Sequence, residues 1–230
     1  MSNSFLRLFI PSLFFVLIAC AVNAAAPAQS PVPPAASAAP SANPSADIAP
    51  WAAPDFSADP KALYEAASAV PVPDGANVVE LVEDESYTFD DAGRMAHVGR
   101  IVYKVLTQKG AEGWDSLSVG WEPWHEARPV IRARVIAPDF SVHTLDANTI
   151  TEAPARGGDY KTYSDGKRLH APFPAIAPGV VVEEEYTEAE TQPLFAPGRV
   201  GRVELGQEDV PVAHSRVIFD APAALPLRTD

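Results

Sequence analysis

Between residues 78 and 219 the apolar residues recur at every second position in short runs, separated by turn-forming residues. Side chains on a strand alternate between faces, so this spacing fits half-buried strands and not helices. The expected strands cover 78–89, 95–106, 116–121, 129–137, 141–145, 167–171, 180–187, 200–205 and 212–219, with a hairpin turn at Asp90-Asp91-Ala92-Gly93. About nine short strands in ~150 residues is the density of an antiparallel sandwich or open barrel. No strand–helix–strand unit interrupts the series, so the expected class is all-β. In 95–106, Val98 and Val102 share one face while Ile101, Tyr103 and Val105 share the other, the pattern of an inner strand. Residues 107–146 form the middle of this unit, opening on a Gly-rich turn and passing two tryptophans that bracket Glu122-Pro123. Residues 153–166 have glycines, charges and two tyrosines but no period, and are expected to be a long loop.

The front of the chain is different. Residues 1–24 read as a secretory signal: Arg7 is the only charged side chain, an apolar run follows, and Val22-Asn23-Ala24 is a small-x-small cleavage site. The run is shorter than the ~20 apolar residues of a membrane span, and no later segment comes close, so the mature chain is expected to lack a transmembrane span. Leu17-Ile18-Ala19-Cys20 also fits a bacterial lipoprotein pattern, in which Cys20 is acylated. Ordinary cleavage is the favoured route and lipidation the alternative; the expected location is exported, soluble or lipid-anchored. Cys20 is the only cysteine, so either route leaves no thiolate ligand, disulfide or cysteine nucleophile.

Residues 25–56 form an Ala/Pro/Ser tract, expected to be a disordered linker because its prolines remove backbone donors and it has little large apolar surface. The folded unit is expected over 57–230, led by a helix and approach segment at 57–77. Asp59 suits an N-cap and Pro60 the first helical position. Leu63, Ala66, Ala67 and Val70 make one apolar stripe, and Pro71 and Pro73 stop the helix. The chain ends in apolar, Pro-containing sequence without a closing helix or polar tail, which reads as a cut at a domain edge.

Chemistry is sparse. The five histidines, His97, His125, His143, His170 and His214, lack the spacing of a metal site and read as surface strand residues, so no metal or cofactor is expected. Glu183-Glu184-Glu185 is the densest acidic run. Glu183 and Glu185 share a face, and a solvated strand that uses charge against edge pairing is the favoured reading. Glu184 should then turn inward. A carboxylate pair working with His170 or His125 as a hydrolase is the alternative. No Ser-hydrolase, phosphate-loop or HExxH motif occurs, so no catalytic residue is assigned. The net charge of −13 without a basic cluster argues against nucleic acid and anionic lipid as partners. Arg128, Arg132 and Arg134 lie on or beside one strand and are expected to pair with acids across the sheet. Trp114, Trp121 and Trp124 either plug the end of the sandwich or form a platform for sugar or peptide. The candidate binding surface is Trp121, Trp124 and His125 with Tyr160 and Tyr163 of the loop.

Several stretches, in order, resemble the bacterial domain of unknown function 3857. They are residues 89–94, 103–107, 110–114, 132–136 with Pro138-Asp139, and 163–165 followed by Leu169 and Pro172. Residues 177–183 with Tyr186, and Pro211-Val212 with Ser215-Arg216, complete the set. Two positions depart from the pattern. Phe140 stands where the turn usually has Gly, so a turn without a positive φ is expected there. Val180 replaces an acidic residue that often follows Pro-Gly. The resemblance implies an exported accessory domain, N-terminal to a transglutaminase-like domain with Cys-His-Asp chemistry, and no catalytic residues to transfer. The expected function is thus a non-catalytic binding domain that supports such a unit or presents substrate to it. A stand-alone module for envelope peptide or glycan is the alternative.

Overall fold

A computed structural model describes residues 49–155, 165–194 and 210–225. Helix α1 spans Pro60–Ser68, where sequence placed it: the Asp59 side chain accepts from the Ala62 amide at 2.9 Å, and Leu63 and Ala67 are buried. Within the Gly-rich turn a second, unexpected helix forms, α2 (Gln108–Gly113). Thr107 caps it, its Oγ1 accepting from the Gly110 amide at 3.0 Å. Its glycine content hid it, because glycine opposes helix unless a cap and packing impose one.

Among the described residues nine strands form two sheets. They are β1 (Val78–Phe89), β2 (Met95–Val105), β3 (Ser116–Trp121), β4 (Val130–Ile136), β5 (Val142–Thr144), β6 (Thr151–Pro154), β7 (Lys167–Pro172), β8 (Val181–Ala189) and β9 (Val212–Asp220). The large sheet runs β5-β4-β8-β2-β1-β9 and the small one β3-β7-β6. All pairings are antiparallel except β1 with β9, which is parallel and departs from the all-antiparallel expectation. β9 comes from the far end of the domain to lie beside its first strand, and no local pattern encodes that. β6 falls partly inside the expected loop at 153–166; its residues are all exposed, so it shows no apolar alternation. The expected strand at 200–205 lies outside the described residues.

The β1–β2 hairpin turns as expected: Asp90 Oδ1 accepts from the Ala92 and Arg94 amides at 2.9 Å, and Gly93 takes φ 78°. The β4–β5 turn does not. Phe140 adopts φ 66°, the left-handed region that the sequence reading had ruled out for it. Two compensations hold it there. Ser141 donates both its amide and its hydroxyl to Asp139, and the Phe140 ring meets Tyr64 edge-on at 5.6 Å.

One core lies between the sheets, with Tyr103, Val105, Val135 and Val182 of the large sheet facing Leu117 and Leu169 of the small one. Val180, one of the two departures from the family pattern, is buried in it. A second core on the other face packs Val82, Val102, Ile136 and Val181 under Leu63 and Ala67 of α1. Among the described residues no helix is long and apolar enough to cross a membrane.

Candidate functional site

The acidic run is not a solvated edge. β8 lies inside the large sheet between β4 and β2, and Glu183, Glu184 and Glu185 are all buried. Alternation sends Glu183 and Glu185 to the α1 face and Glu184 inward to the core between the sheets, where Tyr103 Oη donates to it at 3.3 Å. Glu183 receives a guanidinium on each oxygen. Arg100 Nη2 meets Oε1 at 2.7 Å and Arg134 Nε meets Oε2 at 2.6 Å. Arg132, Glu185, Arg100, Asp84 and Arg216 stand directly opposite one another along β4, β8, β2, β1 and β9, a cross-sheet row that alternates in sign. The expected pairing of Arg132 and Arg134 with acids holds, and Arg134 is buried rather than exposed. Arg128 pairs elsewhere, with Glu152 at 3.2 Å.

Residues 49–59 cross this row as a strap. Part of the strap, 49–56, falls in the segment that sequence assigned to a disordered linker, but it folds onto the sheet, with a 3-10 turn at Pro50–Ala52. Its backbone satisfies the buried charges: Arg100 donates to Trp51 O at 3.1 Å, Arg134 to Ala58 O at 3.0 Å, and the Phe56 amide to Glu183 at 3.1 Å. Phe56, at φ 60°, lays its ring 4.5 Å from the Arg132 guanidinium. Trp51 stacks on His214 at 4.7 Å. Burial pushes the Glu185 carboxyl up, and the neighbouring Asp55 carboxyl adds to that. Glu185 Oε2 is buried and finds no donor among the described residues.

His97, expected on the surface, is buried on the opposite face. Glu188 takes one ring nitrogen at 3.0 Å and Glu85 the other, while the ring stacks on Tyr87 at 4.2 Å. Burial pulls the imidazole pKa down, but the two carboxylates outweigh it and hold His97 at about 9. This is an imidazolium locked between acids. The alternation pattern carried a signal for it, since His97 shares a face with Ile101 and Tyr103.

The candidate binding residues divide. Trp121 is buried at the end of β3 beneath the Lys167 ammonium, 5.3 Å from its ring, and its Nε1 finds no acceptor among the described residues. His125 is buried too, with Nε2 3.9 Å from Glu126 and no partner for Nδ1 among the described residues. Neither is a surface residue, because the chain folds back at 122–126 and packs against 189–192 through backbone bonds. Trp124 is 50% exposed, its ring tilted on that of His125 at 4.2 Å. Tyr160 and Tyr163 lie outside the described residues. Beside Trp121, Lys167 and Arg128 both engage Glu152, at 2.7 and 3.2 Å. There a hollow of about 350 Å³ is lined by Glu152, Ala153, Pro154, Asp165, Gly166 and Lys167. His170 is exposed on β7 and on the other side of the large sheet from Glu183, so sequence had joined groups that the fold separates. Trp114 serves the core, its ring 4.7 Å from that of Tyr103.

The sequence pattern of DUF3857, a domain of unknown function, matches residues 91–230. No curated protein matches the chain. A crystal structure described as a candidate protease from Parabacteroides distasonis superposes with a TM-score of 0.55 at 12% identity, covering 65% of this chain and 30% of that one. The chain thus spans about 30% of that protein's length, and the likeness is one of fold. A carbohydrate-binding module 3a domain from a cellulosomal scaffoldin of Clostridium thermocellum aligns at a TM-score of 0.28 and 9% identity, over 53% of this chain and 72% of that one. That likeness is too slight to carry an argument.

Proposed function

The chain belongs to the DUF3857 family, and from that premise we propose that it is a non-catalytic, exported accessory β-domain. On this reading it supports a transglutaminase-like, cysteine-protease-like unit or presents substrate to it, through the end of the sandwich that carries Trp124 and the hollow beside Lys167. One observation carries the non-catalytic part. Glu183 and Glu185, the carboxylates best placed for acid–base work, are taken up by Arg100, Arg134 and Arg132. A catalytic pair needs groups that exchange protons with a substrate, and salt-bridged acids under a strap do not. The exposed indole of Trp124 supplies flat apolar area of the kind that recognition surfaces use.

The test is a binding titration of the mature chain against the purified transglutaminase-like protein of the same host. Loss of binding in Trp124→Ala with an unchanged circular dichroism spectrum supports the reading; unchanged binding removes this surface from it. Binding of that variant series to isolated envelope peptide or glycan, and not to the enzyme, would favour a stand-alone module. Turnover of a peptide or glycan panel that Glu183→Gln abolishes, with the fold retained, would favour the hydrolase alternative and sink the accessory reading. Intact mass from the native host tests export. Cleavage after Ala24 or acylation at Cys20 agrees with it, and an unprocessed N-terminus does not.

A further inference from the structure

Part of one sheet face is open. Two residues beyond the charged row, Val130, Thr187, Val98, Ser86 and Ile218 stand directly opposite one another along β4, β8, β2, β1 and β9. Side chains two apart on a strand share a face, so this row continues the face that α1 covers. Ala189 and Ala96 pair in the row after it. None of these carries a charge, and neither core includes any of them. Val130 is 58% and Ile218 43% exposed, and the three between them are only half-buried, although β8, β2 and β1 are inner strands. A sheet face that meets only water alternates to polar and charged residues, and this one does not.

Its size selects the occupant. Across five strands the row is about 19 Å long, from four spacings of ~4.8 Å, and two rows with their margins are ~14 Å deep. That is on the order of 270 Å², well below the ~800 Å² per partner of a stable protein–protein contact, so it does not suit a second copy packed sheet on sheet. It matches one helix: about 19 Å is the length of ~13 helical residues, and a helix with its side chains is ~10–12 Å across. The adjoining rows already hold a helix, since Val82, Val102, Ile136 and Val181 pack under Leu63 and Ala67. Charge borders the open area on both sides. Arg132 and Arg216, with side chains 51% and 59% exposed, end the row next to it, and the exposed Asp220 stands on the far border.

We propose that this face docks one amphipathic helix of a partner protein, about 13 residues long, with acids on its flank toward Arg132 and Arg216 and a cation on its flank toward Asp220. The helix lies beside the strap and extends the layer that α1 begins, in the helix-in-groove mode of recognition. Burial of its apolar stripe against Val130, Val98 and Ile218 supplies affinity, and the bordering charges set its direction. This surface is distinct from the one at Trp124, and either can fail without the other.

The probe is the photo-reactive amino acid p-benzoylphenylalanine, placed at position 130 or 218 of the full chain in its native host. After irradiation, the cross-linked residue of the partner is mapped by mass spectrometry. A control chain carries the probe at position 72, whose valine is 52% exposed and lies outside the sheet. The expected product, absent from the control, joins the face to a segment with apolar residues at i, i+3, i+4 and i+7 and an acidic flank. A fluorescein-labelled synthetic peptide of that segment then binds the full chain by anisotropy and gains helical circular dichroism on binding. Its affinity falls at least tenfold for Val98→Lys. Should that variant fail to fold, Ile218→Lys, at the exposed rim, takes its place. No product, a product shared with the control, a product with a second copy of this chain or with an extended segment, or peptide binding that ignores the substitution overturns the proposal.

Discussion

Arg134 donates its Nε to Glu183 at 2.6 Å across the β4–β8 pair, and both side chains are buried. Arg100 holds the other oxygen from β2, so one carboxylate ties three neighbouring strands together. Removing one member of such a set leaves the others charged and dry, which typically costs ~3–5 kcal/mol. Glu183→Leu is therefore expected to lower the unfolding free energy from urea titration by an amount in that range. A shift under ~1 kcal/mol would mean that water reaches the two arginines.

His97 predicts a loss of stability in alkali. Its folded-state pKa, about 9, lies above the ordinary 6.5, so the folded chain holds this proton more tightly than the unfolded one. The stabilisation is fully present below pH 6.5 and disappears as pH rises through about 9, an effect of up to ~3 kcal/mol. Urea midpoints measured at pH 6.5 and 9.5 should differ in the wild type and converge in His97→Gln. Imidazole resonances that titrate near 6.5 would show that the two carboxylates do not engage the ring.

Phe140 separates strain from packing. Glycine at φ 66° relieves a cost of roughly 1–2 kcal/mol but forfeits the edge contact with Tyr64. Phe140→Gly is expected to fall within ~1 kcal/mol of wild type by thermal melting, the two effects offsetting. Phe140→Val keeps the strain, stiffens it with a branched Cβ and loses the ring, and should be the less stable variant. The reverse order would show that the ring contact outweighs the backbone.

Two glycines of α2 should respond in opposite directions. A Cβ at Gly110 would lie 2.2 Å from the Asn77 carbonyl, which is itself tied to the Leu106 amide at 2.9 Å. Backbone cannot step aside cheaply, so Gly110→Ala should destabilise by ~2 kcal/mol or more. At Gly113 an added Cβ meets nothing within 4 Å, and alanine there should stabilise by ~0.5–1 kcal/mol. Equal midpoints for the two variants would place α2 away from the 77–78 backbone.

Much of the strand framework was legible because alternation is local. The bounds of β1 and β3 fall where the apolar period begins and ends, and α1 begins at its Asp-Pro cap. β6 was not legible, since an exposed edge strand has no buried face to mark it. The candidate site was legible only in part. Alternation placed Glu183 and Glu185 on one face and turned Glu184 inward, but their surroundings were misread as solvent. The tryptophans show the same limit: identity marked Trp121 and Trp124 equally, and only the fold-back at 122–126 buries one and exposes the other.

By itself, then, the sequence determined an all-β unit with a capped leading helix, because periodicity and capping depend on neighbours within a few residues. Strand order was decided by tertiary structure alone. Whether β8 is an edge or a centre depends on β4, β2 and a strap whose contacts to Glu183 span well over a hundred residues of chain. Burial converts a run of acids from a solvated edge into the ionic tie of the sheet, and burial is a property of the packed whole.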